Sequence, residues 1–276
     1  MTHSLSFQTG VLSGPVVAGV LALAACGGSG SSATAPSPTS PPTASTLACG
    51  AIGETTAPML AILNGTACAS SNASVVVLSL ADSTNSKFAT CSGSVIGRRA
   101  VLTAAHCLAE GTVSVTVYVG NVTPYAVSSF QAMPGYSSGS SLDVGVVLVT
   151  SDLAPAALPL LLSRDAKVGE QAVIAGFGQD QNDSSEVLRA GTMTIGQVSS
   201  TTIQATYAPS TGGSGVCFGD SGGPLLLSQG GTWAIAGVTS GFTNNSCTTG
   251  TDYFTNLRYP AITSFVVGLV PDVTRR

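Results

Sequence analysis

The chain has 276 residues, 13 acidic and 9 basic, giving a formal net charge of −4 and a charged fraction of 8%. So few charges exclude a solvated disordered chain, and an acidic balance with no Lys/Arg cluster excludes nucleic acid as a partner. With 44% apolar residues, 33 glycines and 14 prolines, the composition predicts short strands joined by turns, an all-β globular protein.

The first feature in chain order is a mostly apolar stretch from Val11 to Ala25, short for a membrane span and closed by Leu23-Ala24-Ala25-Cys26. That tetrapeptide resembles the bacterial lipobox, which implies a leader over residues 1–25 and a diacylglycerol on Cys26, hence an exported lipoprotein of the cell envelope. An ordinary secretory leader cut elsewhere is the alternative, because Met1 to Gly10 holds no Lys or Arg. From Gly27 to Ser45 the composition narrows to Gly, Ser, Thr, Ala and Pro, a tether over 26–46 that cannot bury a core. Setting Cys26 aside leaves six cysteines, Cys49, Cys68, Cys91, Cys107, Cys217 and Cys247, which an exported chain can pair in more than one connectivity.

Beyond the tether, apolar or alternating runs of strand length span Val75–Leu80, Val95–Thr103, Val113–Val119, Val144–Val149, Ala172–Gly176, Thr192–Val198, Leu225–Leu227 and Trp233–Thr239. One amphipathic helix is predicted after Pro260, where Ile262, Phe265, Val266 and Leu269 fall at helical spacing. His3 lies in the leader, so His106 is the one histidine of the mature chain, and no metal-ligand spacing occurs. No metal or other cofactor is expected.

The run Gly219-Asp220-Ser221-Gly222-Gly223-Pro224 surrounds one serine with three glycines, a turn in which backbone N–H groups converge beside the hydroxyl. Such donors stabilise the oxygen anion formed when a carbonyl is attacked, by roughly 3 kcal/mol per donor. Histidine is the side chain whose ordinary titration suits it to take the serine proton near neutrality, with activity rising as it deprotonates. Together with Thr103-Ala104-Ala105-His106-Cys107, this hexapeptide resembles the chymotrypsin/trypsin family of serine endopeptidases, over about Ile62 to Val270.

The resemblance implies two antiparallel six-stranded β-barrels, here 62–155 and 156–276, the second carrying the C-terminal helix, with the active site in the cleft between them. Ser221 would be the nucleophile and His106 the base. Asp143, opening Asp143-Val144-Gly145-Val146, would orient the imidazole and stabilise its charged form. Gly219 and Ser221 N–H would form the oxyanion hole, and Ser240 would help hold Asp143. Cys91 would bridge Cys107, and Cys217 would bridge Cys247, leaving Cys49 for Cys68.

Ile62-Leu63-Asn64-Gly65 looks like the family's new N-terminus after activation, so residues 47–61 would be a propeptide cut between Ala61 and Ile62. The Ile62 amine would then meet Asp220 and order the oxyanion loop. A bridge from Cys49 to Cys68 would keep the cleaved enzyme on its lipid. At the pocket base Gly215 stands where trypsin-like members carry Asp, which argues against ordinary trypsin-like selectivity. Asp252 would reach the same cavity from the opposite wall and could pair with Arg or Lys, while Phe242 would narrow the entrance and favour small apolar side chains. Protein or peptide substrates, a monomer and no membrane contact besides the lipid complete this expectation. The rival is a protease-like binding or adhesion lipoprotein that lacks turnover.

Overall fold

In a computed structural model, the structure describes residues 44–276 except 55, 61, 110, 121 and 244–246. The expected leader, Cys26, most of the tether, and Ala61 on one side of the expected cut lie outside the described residues. Helix α1 (Ala44–Gly50) and strands β1 (Thr56–Leu60) and β2 (Thr66–Cys68) come first. Six strands follow: β3 (Val75–Ala81), β4 (Lys87–Gly97), β5 (Ala100–Thr103), β6 (Ser114–Val119), β7 (Thr123–Ala132) and β8 (Gly145–Val149). They close an antiparallel barrel in the order β3-β4-β5-β8-β7-β6.

Among the strands the sequence made visible, β6 alternates, whereas β3 and β8 are near-continuous apolar runs buried almost throughout. In β6, Val115, Val117 and Val119 point inward while Ser114 is exposed, as a period of two requires. The expected strand Val95–Thr103 is corrected to a hairpin: β4 ends at Gly97, which pairs with Ala100 at the start of β5. Between them Arg98 and Arg99 are exposed and both reach Asp152, charges that a buried strand would leave unpaired. Strand β7 was not predicted, because most of its side chains face outward and form no apolar run. It nevertheless pairs with both β6 and β8 and completes the ring.

The second barrel comprises β9 (Gln171–Gly176), β10 (Arg189–Val198), β11 (Thr202–Thr206), β12 (Pro224–Gln229), β13 (Thr232–Phe242) and β14 (Thr251–Asn256). The sheet order β1-β2-β10-β11-β14-β13-β12-β9 is closed by pairing of β9 with β10, so six antiparallel strands form the ring and β1–β2 extends from β10. The fold is all-β, two six-stranded barrels with a C-terminal helix. That helix, α2 (Pro260–Leu269), starts with proline, whose missing N–H costs nothing in a first turn. Its buried Ile262 and Val266 join the larger core cluster with the first-barrel residues Val95, Leu102 and Val147.

The segment before Ile62 is built into this body. Ala48, Cys49 and Ile52 are buried in the larger core cluster, β1 pairs with β2, and Cys49 is bonded to Cys68. The other disulfides are Cys91–Cys107 and Cys217–Cys247. Three bridges therefore use every cysteine but Cys26. Among the described residues no helix is long and apolar enough to cross a membrane.

Candidate active site

Strand register builds the first half of the site. Thr103, at the end of β5, pairs with Gly145, at the start of β8, so the residues just beyond, His106 and Asp143, meet on the same side of the barrel rim. Asp143 Oδ1 accepts the His106 backbone N–H at 2.9 Å, and Oδ2 lies 2.8 Å from His106 Nδ1. Ser240 Oγ donates to the same Oδ2 at 2.7 Å, and Thr255 Oγ1 donates to the Asp143 carbonyl at 3.2 Å. An ionised carboxylate only accepts, so Nδ1 carries the proton and Nε2 keeps a lone pair for the cleft. Asp143 is 3% exposed, whereas the His106 side chain is 31% exposed: the orienting acid is buried and the base is accessible.

Ser221 enters from the second barrel, half-buried, and lines with His106 one cleft of about 580 Å³. No hydrogen bond joins its hydroxyl to His106 in this structure; such contacts tighten when substrate binds. Gly219 and Gly222 have φ of 96° and 84°, in the left-handed region that glycine tolerates. A Cβ at Gly222 would fall 2.1 Å from Thr103 Oγ1, so no other residue fits there. The Phe218 carbonyl accepts from Gln179 N–H at 2.8 Å, and the Asp220 carbonyl accepts from Gly223 N–H at 2.9 Å. In a trans peptide the N–H points opposite its carbonyl, so Gly219 N–H and Ser221 N–H are each aimed away from these partners. Neither has a protein acceptor among the described residues, and both remain available to an anionic oxygen.

Ser92 ties the two barrels beneath this loop, donating from Oγ to the Gly219 carbonyl at 2.9 Å and accepting from Phe177 N–H at 3.0 Å. Cys91, Cys107 and His106 bring potential metal-ligand atoms within 4.8 Å of one another. Both sulfurs are bound in the disulfide, however, and neither is a thiolate. That cluster is therefore no metal site.

Asp220 is 1% exposed, its carboxylate accepting Gly178 N–H at 2.8 Å and Cys217 N–H at 2.9 Å. It fits a slot floored by glycines: a Cβ on Gly176 would stand 2.2 Å from its Oδ1. Burial pushes its pKa up to about 6 against the pull of those two donors and of Arg189. Ile62 is buried in the second-barrel core at φ 52°, and its backbone N–H is not among the partners of Asp220 in this uncut chain.

The specificity candidates converge on one turn. Gly215 is buried, and a Cβ there would meet the Tyr207 ring at 2.8 Å, so the ring occupies the space a longer residue would need. Next to it, Val216 N–H donates to Asp252 Oδ2 at 3.1 Å. Asp252 is 2% exposed, and burial, with the charge of Asp220 adding to it, pushes its pKa up to about 7. Across the sheet, Phe242 pairs with Asp252 and meets the ring of Phe218 edge-on at 5.1 Å beside the cleft.

Sequence reading did not single out Ser92, Phe218, Thr255 or Arg189. Ser92 follows Cys91, Phe218 precedes Gly219 and Thr255 lies three residues beyond Asp252, and the roles of Ser92 and Thr255 depend on contacts across barrels. Arg189 left one signal, a lone basic residue in the apolar stretch Val187-Leu188-Arg189-Ala190.

Comparison with known proteins agrees with this geometry. The trypsin family profile matches residues 62–262. A chymotrypsin of Phaedon cochleariae is 32% identical over 166 residues, covering 50% of this chain and 59% of that protein. Brachyurin of Leptuca pugilator is 33% identical over 197 residues, covering 61% of this chain and 83% of that one. The solved structure of HL collagenase superimposes with a TM-score of 0.64 at 22% identity, over 76% of this chain and 99% of that one, which establishes the fold. The chain spans about three fifths of the length of the first curated relatives it matches. It belongs to the trypsin family of serine proteases. The relatives named are arthropod proteins and lend no support to a bacterial-type leader.

Proposed function

We propose that the chain is a serine endopeptidase acting through an acyl-enzyme. Ser221 Oγ attacks the peptide carbonyl as His106 Nε2 takes its proton, and Asp143 holds the resulting imidazolium. The proton then passes to the leaving amine, and water repeats the sequence on the ester, returning Ser221 to its hydroxyl. The observation that carries this reading is the Asp143 carboxylate, bonded to the backbone N–H and to Nδ1 of His106 and to Ser240 Oγ, at a cleft shared with Ser221 and the free N–H groups of Gly219 and Ser221. Labelling by a fluorophosphonate probe, lost in Ser221→Ala, together with turnover of peptide substrates, tests it. A folded chain that takes no label and cleaves nothing is the silent binding protein instead.

Cleavage between Ala61 and Ile62 would turn the Ile62 amide into an ammonium beside the second-barrel core, drawn to the under-neutralised Asp220. The Cys49–Cys68 bridge and the buried packing of Ala48 and Ile52 would keep the propeptide attached. After the cut, gels should show one species without reductant and two with it. If Cys26 bears lipid, the cut enzyme stays on membranes through detergent-free washing until reductant is added.

For the first substrate position we favour small apolar side chains. Phe242 and Phe218 crowd the entrance, and Asp252 spends one oxygen on Val216 N–H. Substrates ending in Arg, Leu and Ala, with Asp252→Ser as control, decide this. A strong Arg preference that disappears in the variant would instead make Asp252 the recognition group.

A further inference from the structure

Arg189 is 3% exposed and no part of the triad, the oxyanion loop or the pocket uses it directly. Its guanidinium donates from Nη1 to the Gly178 carbonyl at 2.9 Å and more weakly to the Val187 carbonyl at 3.3 Å, and from Nη2 to Asp180 Oδ2 at 3.3 Å, while Nε finds no partner. The charges of both Asp180 and Asp220 act on it. A buried guanidinium with an orphan N–H is costly, and the shorter of its two carbonyl contacts reaches Gly178, outside its own strand.

The Gly178 carbonyl belongs to the peptide group whose N–H is that of Gln179, and Gln179 N–H donates to the Phe218 carbonyl at 2.8 Å. The Phe218 carbonyl in turn belongs to the peptide group whose N–H is that of Gly219. Two trans peptides thus stand head to tail between a buried cation and the oxyanion hole. Gly178 is fixed from its other side too, because its own N–H holds Asp220. Hydrogen-bonded dipoles in such a row polarise one another, most where water is excluded.

We propose that Arg189 is a positioning residue of the oxyanion hole, aligning and polarising Gly219 N–H through these two peptide groups, and that it does so before any cut at Ile62. The inference rests on the peptidase reading above. It deepens that reading by giving the uncut chain a cation that serves the loop, so that the intact chain carries a formed oxyanion hole.

The test uses the full-length chain, its integrity at residues 61–62 verified by mass, beside the cut form, with a fluorophosphonate probe whose phosphoryl oxygen occupies the oxyanion hole. Intact wild type is expected to label at Ser221. Arg189→Gln should lower that rate tenfold or more, with Arg189→Lys between the two. Gln179→Pro, which removes the middle N–H and leaves Arg189 and both carboxylates in place, should cause a similar loss. In the cut enzyme Arg189→Gln should lower kcat and spare KM, since only the developing anion feels the relay. Melting curves read beside the rates separate this from a structural role, which would lower stability and leave the rate of the folded fraction unchanged. Wild type that labels only after cutting overturns the proposal, as does a cooperatively melting Gln179→Pro chain that labels at the wild-type rate. Where Gln179→Pro does not melt cooperatively, Arg189→Lys decides, and a rate equal to that of Arg189→Gln overturns the relay. Failure of both intact and cut wild type to label defeats the peptidase reading itself.

Discussion

The two halves of the site treat their buried acids in opposite ways. In the first-barrel half, Asp143 receives two N–H groups from one histidine and a hydroxyl from Ser240. In the second-barrel half, Asp220 and Asp252 are as deeply buried but lean on backbone N–H groups, those of Gly178 and Cys217 for Asp220 and of Val216 for Asp252, and are pushed up to about 6 and about 7. Donors saturate the first acid and fix a histidine for chemistry. The second pair is under-neutralised, and under the proposed activation the new Ile62 ammonium would be answered by Asp220, in the loop that carries Ser221.

The contrast can be broken from either side. The largest effect is expected from Asp143→Asn, whose amide offers an N–H where the ring already carries one and so turns His106 to the wrong tautomer. We expect kcat to fall by roughly four orders of magnitude with a folded protein, as a steady-state assay reads directly. Asp220→Asn should lower the cut enzyme roughly a hundredfold, because the carboxylate gathers Gly178 and Cys217 N–H groups around the oxyanion loop. Thr255→Val removes one neutral hydrogen bond to the Asp143 carbonyl and should cost about 1 kcal/mol of stability by denaturant titration, with a few-fold loss of rate.

The last test reads a pH dependence of stability. Burial raises Asp252 from the ordinary carboxylate range to about 7, so between about pH 4 and pH 7 the folded chain holds a proton the unfolded chain has released. That contribution to stability is complete below the unfolded value and is lost as pH rises through the folded one. Asp252→Asn should therefore melt close to wild type near pH 4 and several degrees above it at pH 8. Parallel curves would show that Asp252 is not under-neutralised.

What the sequence made legible follows the same division. His106, Asp143 and Ser221 stand in local motifs, and the register of β5 against β8 needs only the visible apolar runs to bring the first two together. Strand β7, whose inward positions are only partly buried, gave no such run. The propeptide was legible as a segment tied to the catalytic chain by Cys49 and Cys68, but not as part of the core that Ala48, Cys49 and Ile52 join, because a short segment of small apolar side chains becomes buried only once its disulfide partner and the β1–β2 pairing exist. Arg189 was hidden for a related reason. Its partners, Gly178 and Asp180, are loop residues whose meaning depends on a peptide group facing Phe218 across the barrel.

The central claim is that Ser221 becomes an acylating nucleophile because His106 and Asp143 prepare it. Mixing the cut enzyme with an activated acyl ester, quenching in acid and mapping the adduct by peptide mass tests it most directly. One acyl group on the peptide containing Ser221 is the predicted result, and its yield should fall away in Asp143→Asn. An adduct on another residue, or none in a folded chain with an intact His106–Asp143 pair, would contradict it.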